Sequence, residues 1–251
     1  MSILKLKSWT AAALYGLFLF GAVTMVSAYC RKEAPRKKVL VFSKTAGFHH
    51  ASIADGNRAL LKLGADNGFG VDTTTDAAWF TSKQLQQYTA VVFLNTTGDV
   101  LNPEQQAAFE AYIRGGGGYA GVHAASDTEY DWPWFGRLTG AYFTNHPKPQ
   151  EALLHVTDGT HPSTRHLPLE WKRFDEWYNF KNIGTDLKVL LTIDEKSYEG
   201  GKNGDPHPMA WYHAYEGGRA FYTALGHTSE SYSDPLFLQH LLGGIQYAIG
   251  K

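Results

Sequence analysis

Uninterrupted apolar runs alternate with amphipathic segments through the first half of the chain. Lys38–Phe42 (KVLVF) and Ala90–Leu94 (AVVFL) are short, continuous and rich in β-branched residues, the pattern of strands buried on both faces. Phe69–Thr73 and Gly118–Val122 read as two further strands. Between them, a helix starts after Ser52 and places Ile53, Ala59, Leu60 and Leu63 on one face, and Thr81 caps a short helix. Asn102-Pro103 opens a third helix with an N-cap and a proline in its first turn. Phe109, Tyr112 and Ile113 form its apolar face, and Gly115 stops it. Such alternation predicts an α/β fold, a mainly parallel sheet covered by helices on both sides. Beyond Tyr142 the pattern changes to strands, at Glu151–Val156, Arg173–Phe180, Val189–Ile193, Met209–His213 and Arg219–Leu225. A last helix follows Asp234-Pro235. No linker or repeat divides the chain, so the second half is expected to extend the sheet begun by the first.

The amino terminus follows a different rule. Lys5 and Lys7 precede an apolar stretch, Ala11–Val26, which ends in Val26-Ser27-Ala28, the small-residue pattern of a cleavage site. Residues 1–28 therefore read as a signal peptide, 29–37 as a polar linker and 38–251 as the folded domain, exported to the periplasm or beyond the cell. Cys30 stands where a lipid anchor would attach, although Tyr29 is bulky for that signal, and an uncleaved leader is the other route to a membrane. With no second cysteine the chain cannot form an intramolecular disulfide.

Charge narrows the partners. Lys+Arg 23 against Asp+Glu 24 gives a formal net charge of −1, which lacks the cationic footprint of nucleic-acid binding and suits a neutral small molecule. Eleven histidines tilt the chemistry toward imidazole. Ligands of an open parallel sheet bind beyond the carboxyl ends of its strands. Those ends are Lys44–His50, Asn95–Asp99, His123–Asp127 and Gly226–Glu230, and three of the four carry histidine. In GGGGYAGVHAAS (Gly115–Ser126) a strand runs straight into a small-residue turn, resembling a nucleophile elbow with His123 at its apex. An imidazole there suits proton transfer, substrate binding or metal ligation better than acyl transfer.

The span from Lys38 to Tyr247 resembles the ThuA-like (trehalose utilisation) family of the class I glutamine amidotransferase-like superfamily. The resemblance rests on AGFHHASI (Ala46–Ile53), GGGYAGVHAASDT (Gly116–Thr128), DEWYNF (Asp175–Phe180) and GRAFYTALGHTSESY (Gly218–Tyr232). It implies a three-layer αβα sandwich with a flavodoxin-like sheet. It also implies a carbohydrate substrate, a disaccharide or glycoside or its 3-keto derivative. The superfamily's elbow cysteine is replaced by His123, and Glu230 stands three residues after His227 rather than two, so glutamine hydrolysis is not expected. His50 matches the histidine of the family's first-loop motif, with His49 where arginine is common.

His123, His227 and Glu176 are therefore the expected catalytic residues. Glu176 is preferred to Asp175, because a strand would aim the two to opposite faces. His50, Asp127, Trp132, Trp134 and His146 are the expected substrate contacts, the tryptophans because DTEYDWPWF concentrates aromatic and acidic groups that suit sugars. His50, His123 and His227 could converge on a divalent metal, although no compact ligand motif is present. His161-Pro162 and His207-Pro208 read as loop punctuation. Two other readings stay open: a two-carboxylate glycosidase using Glu176 with Asp127 or Glu230, and a non-catalytic sugar-binding module.

Overall fold

Strand and helix boundaries in the first half fall within a residue of where the hydrophobic pattern puts them. The computed structural model describes residues 37–250; the segment expected to be a signal peptide, most of the expected linker and Cys30 lie outside the described residues. Strands β1 (Lys38–Phe42), β2 (Gly70–Thr74), β3 (Ala90–Leu94) and β4 (Gly118–Val122) are interleaved with helices α1 (Ile53–Asn67), α2 (Ser82–Leu85) and α3 (Pro103–Arg114). Helix α4 (Pro133–Thr139) follows. Then come β5 (Tyr142–Asn145), β6 (Gln150–Val156), β7 (Glu170–Asp175), β8 (Asn179–Lys181), β9 (Lys188–Ile193), β10 (His207–Tyr215), β11 (Gly218–Thr223) and helix α5 (Pro235–Ala248).

Nine strands form one sheet in the order β2-β1-β3-β4-β11-β10-β9-β6-β7. The first five run parallel, and from β11 outward every pairing is antiparallel. Burial follows from position. Every residue of β3 and β4 is buried, as a central strand covered on both faces requires, whereas β7 at the edge buries only Trp171, Arg173 and Asp175, its alternate positions. Adjacent residues of β3 show the two covering layers. Phe93 meets Phe109 of α3 at 5.4 Å and Phe135 of α4 at 5.2 Å between ring centroids. Leu94 points the other way, beneath α1, where a Cβ on Gly56 would lie 2.9 Å from its Cδ2. The protein is thus an α/β three-layer sandwich with extra strands from its C-terminal half.

Local chemistry sets the helix ends. Asn102 and Gln105 form a capping box at α3, with Pro103 in the first turn. Gly68 ends α1 in a left-handed conformation (φ 76°), and the Thr81 and Asp234 side chains cap α2 and α5.

The expected strand Arg173–Phe180 is corrected. It is two strands, β7 in the large sheet and β8, which pairs with β5 in a separate two-stranded ribbon. Glu176, Trp177 and Tyr178 form the crossing between them. Trp177 explains the break: fully buried, it turns inward and donates its indole N–H to the Gln150 carbonyl. His207-Pro208 is corrected too, lying within β10 rather than in a loop.

Candidate active site

Three strand-end loops are bound together before any functional side chain is considered. Thr45 bridges to Thr97, and Gly98 to Thr128. The Thr97 carbonyl accepts from the Ala46 and Gly47 N–H groups at 2.8 and 3.3 Å, and its hydroxyl donates to the Phe48 carbonyl at 2.8 Å. This network fixes the loop after β1 and delivers His50 to a buried position.

His123 follows β4 directly and is held at φ 48°, a left-handed backbone that side-chain-bearing residues rarely adopt. Its Nδ1 lies 2.7 Å from the Ala224 carbonyl, which can only accept, so Nδ1 carries the proton and Nε2 faces inward with a lone pair when the ring is neutral. The Tyr178 ring covers His123 at 4.2 Å between centroids.

Asp175, the last residue of β7, and Glu176, the first of the crossing, have different surroundings, and of the two only Glu176 faces the histidines. Asp175, fully buried, accepts from the backbone N–H groups of Glu176, Gly226 and His227 at 3.0, 3.0 and 3.1 Å and from Arg173 at 2.9 Å. It thereby joins the loop after β11 to the end of β7. Glu176 then reaches the histidines. Its Oε2 lies 3.2 Å from His227 Nδ1 and 3.4 Å from His123 Nε2, while those two nitrogens are 3.2 Å apart. Its Oε1 meets Nδ1 of His146, a half-exposed side chain, at 3.0 Å.

The imidazole of His50 completes the group, 5.0 Å from His123 and 5.2 Å from His227 between centroids, and each pair is nearly perpendicular. Its buried Nδ1 has no hydrogen-bond partner. One donor atom from each of His50, His123, Glu176 and His227 lies within 4.8 Å of the others. Separations of 3.2–3.4 Å for three of them are close to the edges of a tetrahedron of donors about 2.0–2.1 Å from a central ion. Three imidazoles and a carboxylate suit a divalent transition metal.

The electrostatics agree with a cation-seeking centre. Burial, then the neighbouring His123 and His227 charges, push His50 down to about 3, so it is a neutral donor through the physiological range. Burial alone would raise Glu176, but hydrogen bonds from His123 and His227 and their charge outweigh it and hold the carboxyl well below its ordinary value. His227 moves upward, because its bond to Glu176 and the charges of Glu176 and Asp175 exceed the opposing effect of burial.

Among the expected substrate contacts, Asp127 lies near enough to His123 and His146 to feel their charge. Burial raises its carboxyl, partly opposed by the Tyr130 hydroxyl, which donates to it at 2.6 Å. Trp132 and Trp134 are corrected: both are buried in the core, stacked at 5.2 Å, with indole N–H groups donating to Glu110 and Glu216, because their aromatic mass fills the layer over α3. Glu230 is exposed on a separate turn and is not part of the group. Asp175 and Tyr178 were missed as site members. The DEWYNF segment is legible in the sequence, but the tertiary break between β7 and β8 within it is not.

The family model ThuA, described as trehalose utilisation, matches residues 38–248. Among solved structures, a ThuA-like protein from Bacteroides uniformis is 28% identical with a TM-score of 0.74, the alignment covering 87% of this chain and 94% of that one. A ThuA-like protein from Parabacteroides merdae is 23% identical with a TM-score of 0.68, covering 87% and 91%. A β-galactosidase from Bacillus circulans shares the fold alone, at 13% identity and a TM-score of 0.55, covering 84% of this chain and 30% of that one. A search of curated protein sequences gives no match.

Proposed function

The chain belongs to the ThuA, or trehalose-utilisation, family, and from that premise we propose that it is an exported, metal-assisted enzyme acting on a disaccharide, a glycoside or its 3-keto derivative. The observation that carries the reading is the convergence of buried His50, His123 and Glu176 with partly exposed His227. In this proposal the four side chains hold a divalent ion, which would supply Lewis-acid polarisation of a substrate oxygen. His123 is oriented for ligation by its bond to Ala224, and Asp175 orients both Glu176 and His227 through their backbones. Asp127 moves the proton. Burial raises its carboxyl, and it sits beside the His123 and His146 charges. A ketone beside the reacting carbon acidifies the adjacent C–H, so one base and one polarising group suffice for elimination or isomerisation.

Metal analysis of the purified protein tests the proposal, paired with a turnover screen over trehalose, related disaccharides and their 3-keto derivatives. Bound divalent metal near one equivalent, with turnover lost on chelation and in His123→Ala and His227→Ala, is the expected result. Full turnover in both variants overturns it. A second reading is metal-free acid–base catalysis by the His227–Glu176 pair, favoured by the opposed shifts of these two groups. Turnover that survives chelation but not Glu176→Gln would select it.

A further inference from the structure

Phe48 is two-thirds exposed, whereas the other phenylalanines among the described residues are mostly buried. Five large apolar side chains are exposed among the described residues, and Leu61, Leu169 and Phe174 lie on α1 and along the β7 edge rather than at the carboxyl ends of the parallel strands. Phe48 does lie there, with its ring 4.8 Å from His50 and edge-on to it, one ring beyond the donor cluster. Tyr130, also exposed at this end, has its hydroxyl committed to Asp127 and the Phe143 carbonyl and its face under the Lys181 ammonium. Phe48 has no polar group to satisfy.

An exposed phenylalanine normally folds inward, since burying it is worth about 1.5–3 kcal/mol. Here it stays outside, on a backbone that is itself held. The Phe48 carbonyl is pinned by the Thr97 hydroxyl, and Ala46 and Gly47 are pinned by Thr97 on the preceding turn. The backbone that carries the ring is therefore held in place, and the ring stands as an exposed apolar surface beside a polar centre.

We propose that Phe48 is the stacking platform for the second, non-reacting pyranose ring of the substrate, so that the site selects disaccharides over single-ring glycosides. The inference rests on the proposed function in placing the reacting ring at the His50–His123–Glu176–His227 cluster. Pyranose rings present C–H faces that pack on an aromatic plane while their hydroxyls stay in water, and a phenylalanine suits that role because it adds no competing hydrogen bond.

Binding is measured on the purified wild-type protein, Phe48→Ala and Phe48→Trp, with trehalose, maltose, cellobiose and sucrose as two-ring probes and methyl α-glucoside as the single-ring probe. Zinc binding is measured on the same samples. The wild type should bind at least one disaccharide more tightly than methyl α-glucoside. Phe48→Ala should weaken that disaccharide roughly three- to ten-fold, leave methyl α-glucoside and zinc binding unchanged, and be rescued by Phe48→Trp. Equal loss for both sugar classes, no loss, or a wild type that binds all four disaccharides no better than methyl α-glucoside overturns the platform. Wild-type protein that binds no zinc and turns over no sugar, yet loses a disaccharide selectively in Phe48→Ala, overturns the enzymatic reading and leaves the platform standing.

Discussion

Asp175 shows how much a single side chain organises without touching a reacting atom. Its two oxygens hold three backbone N–H groups and Arg173 in a fully buried place. As a positioning residue, its Asp175→Asn variant should keep the fold but lower metal affinity and turnover about 10–100-fold, the usual scale for loss of a group that orients ligands. Asp175→Ala should cost about 3–5 kcal/mol in denaturant unfolding, since it strips Arg173 of its closest buried counter-ion. Unfolded protein in Asp175→Asn, or unchanged metal affinity, would contradict this role. His240 gives a separate prediction. It is fully buried, donates from Nδ1 to the Ser163 carbonyl at 2.9 Å, and burial pushes it down to about 3. A histidine with a depressed folded pKa contributes its full stability above the unfolded value of about 6.5, and loses it as the pH falls toward the folded value, because the unfolded chain takes up the proton first. His240→Gln should therefore lose less stability than the wild type between about pH 6.5 and about pH 4, measured as the slope of unfolding free energy against pH.

At the level of elements, the loop after β11 depends on Gly226, whose φ is 108° and where a Cβ would meet the Tyr232 hydroxyl at 2.9 Å and Phe237 at 3.1 Å. Gly226→Ala should destabilise by about 1–3 kcal/mol and displace His227, lowering turnover as well as the melting temperature. Asn102→Ala is the matching control. It removes the capping box of α3 at a cost of about 1 kcal/mol, with turnover per folded molecule unchanged. The parallel half was legible because β1, β3 and β4 are fed by local signals: apolar runs, an N-cap followed by proline, a stopping glycine. Helix α4 was missed although Pro133 and Gly140 bracket it, since seven residues give too little periodicity to register. The break between β7 and β8 is dictated by where Trp177 finds its acceptor, which no local pattern encodes. His50, His123 and His227 were accessible from the rule that strand ends line the crevice. Aromatic composition alone does not distinguish a sugar platform from a core: Trp132 and Trp134 are buried, whereas the exposed Phe48 is a single residue with no compositional signal.

Across the whole molecule, the donor set draws on the loops after β1, β4 and β11 and on the crossing that leaves the large sheet for the β5–β8 ribbon. Ligand binding to the folded chain alone shifts the unfolding equilibrium, by about 2.7 kcal/mol at a hundredfold excess over Kd. Added zinc should accordingly raise the melting temperature of the wild type but not of His123→Ala, followed by thermal denaturation with and without chelator. An equal shift in both would place the ion elsewhere.

Those four donors are remote in sequence and adjacent in space, and the chain has no pair of cysteines to bridge them. An ion held there would act as a non-covalent cross-link, closing long loops whose entropy the unfolded chain retains. The same atoms proposed to hold the metal would then serve as the molecule's substitute for a disulfide, and demetallation would loosen the architecture around the crevice.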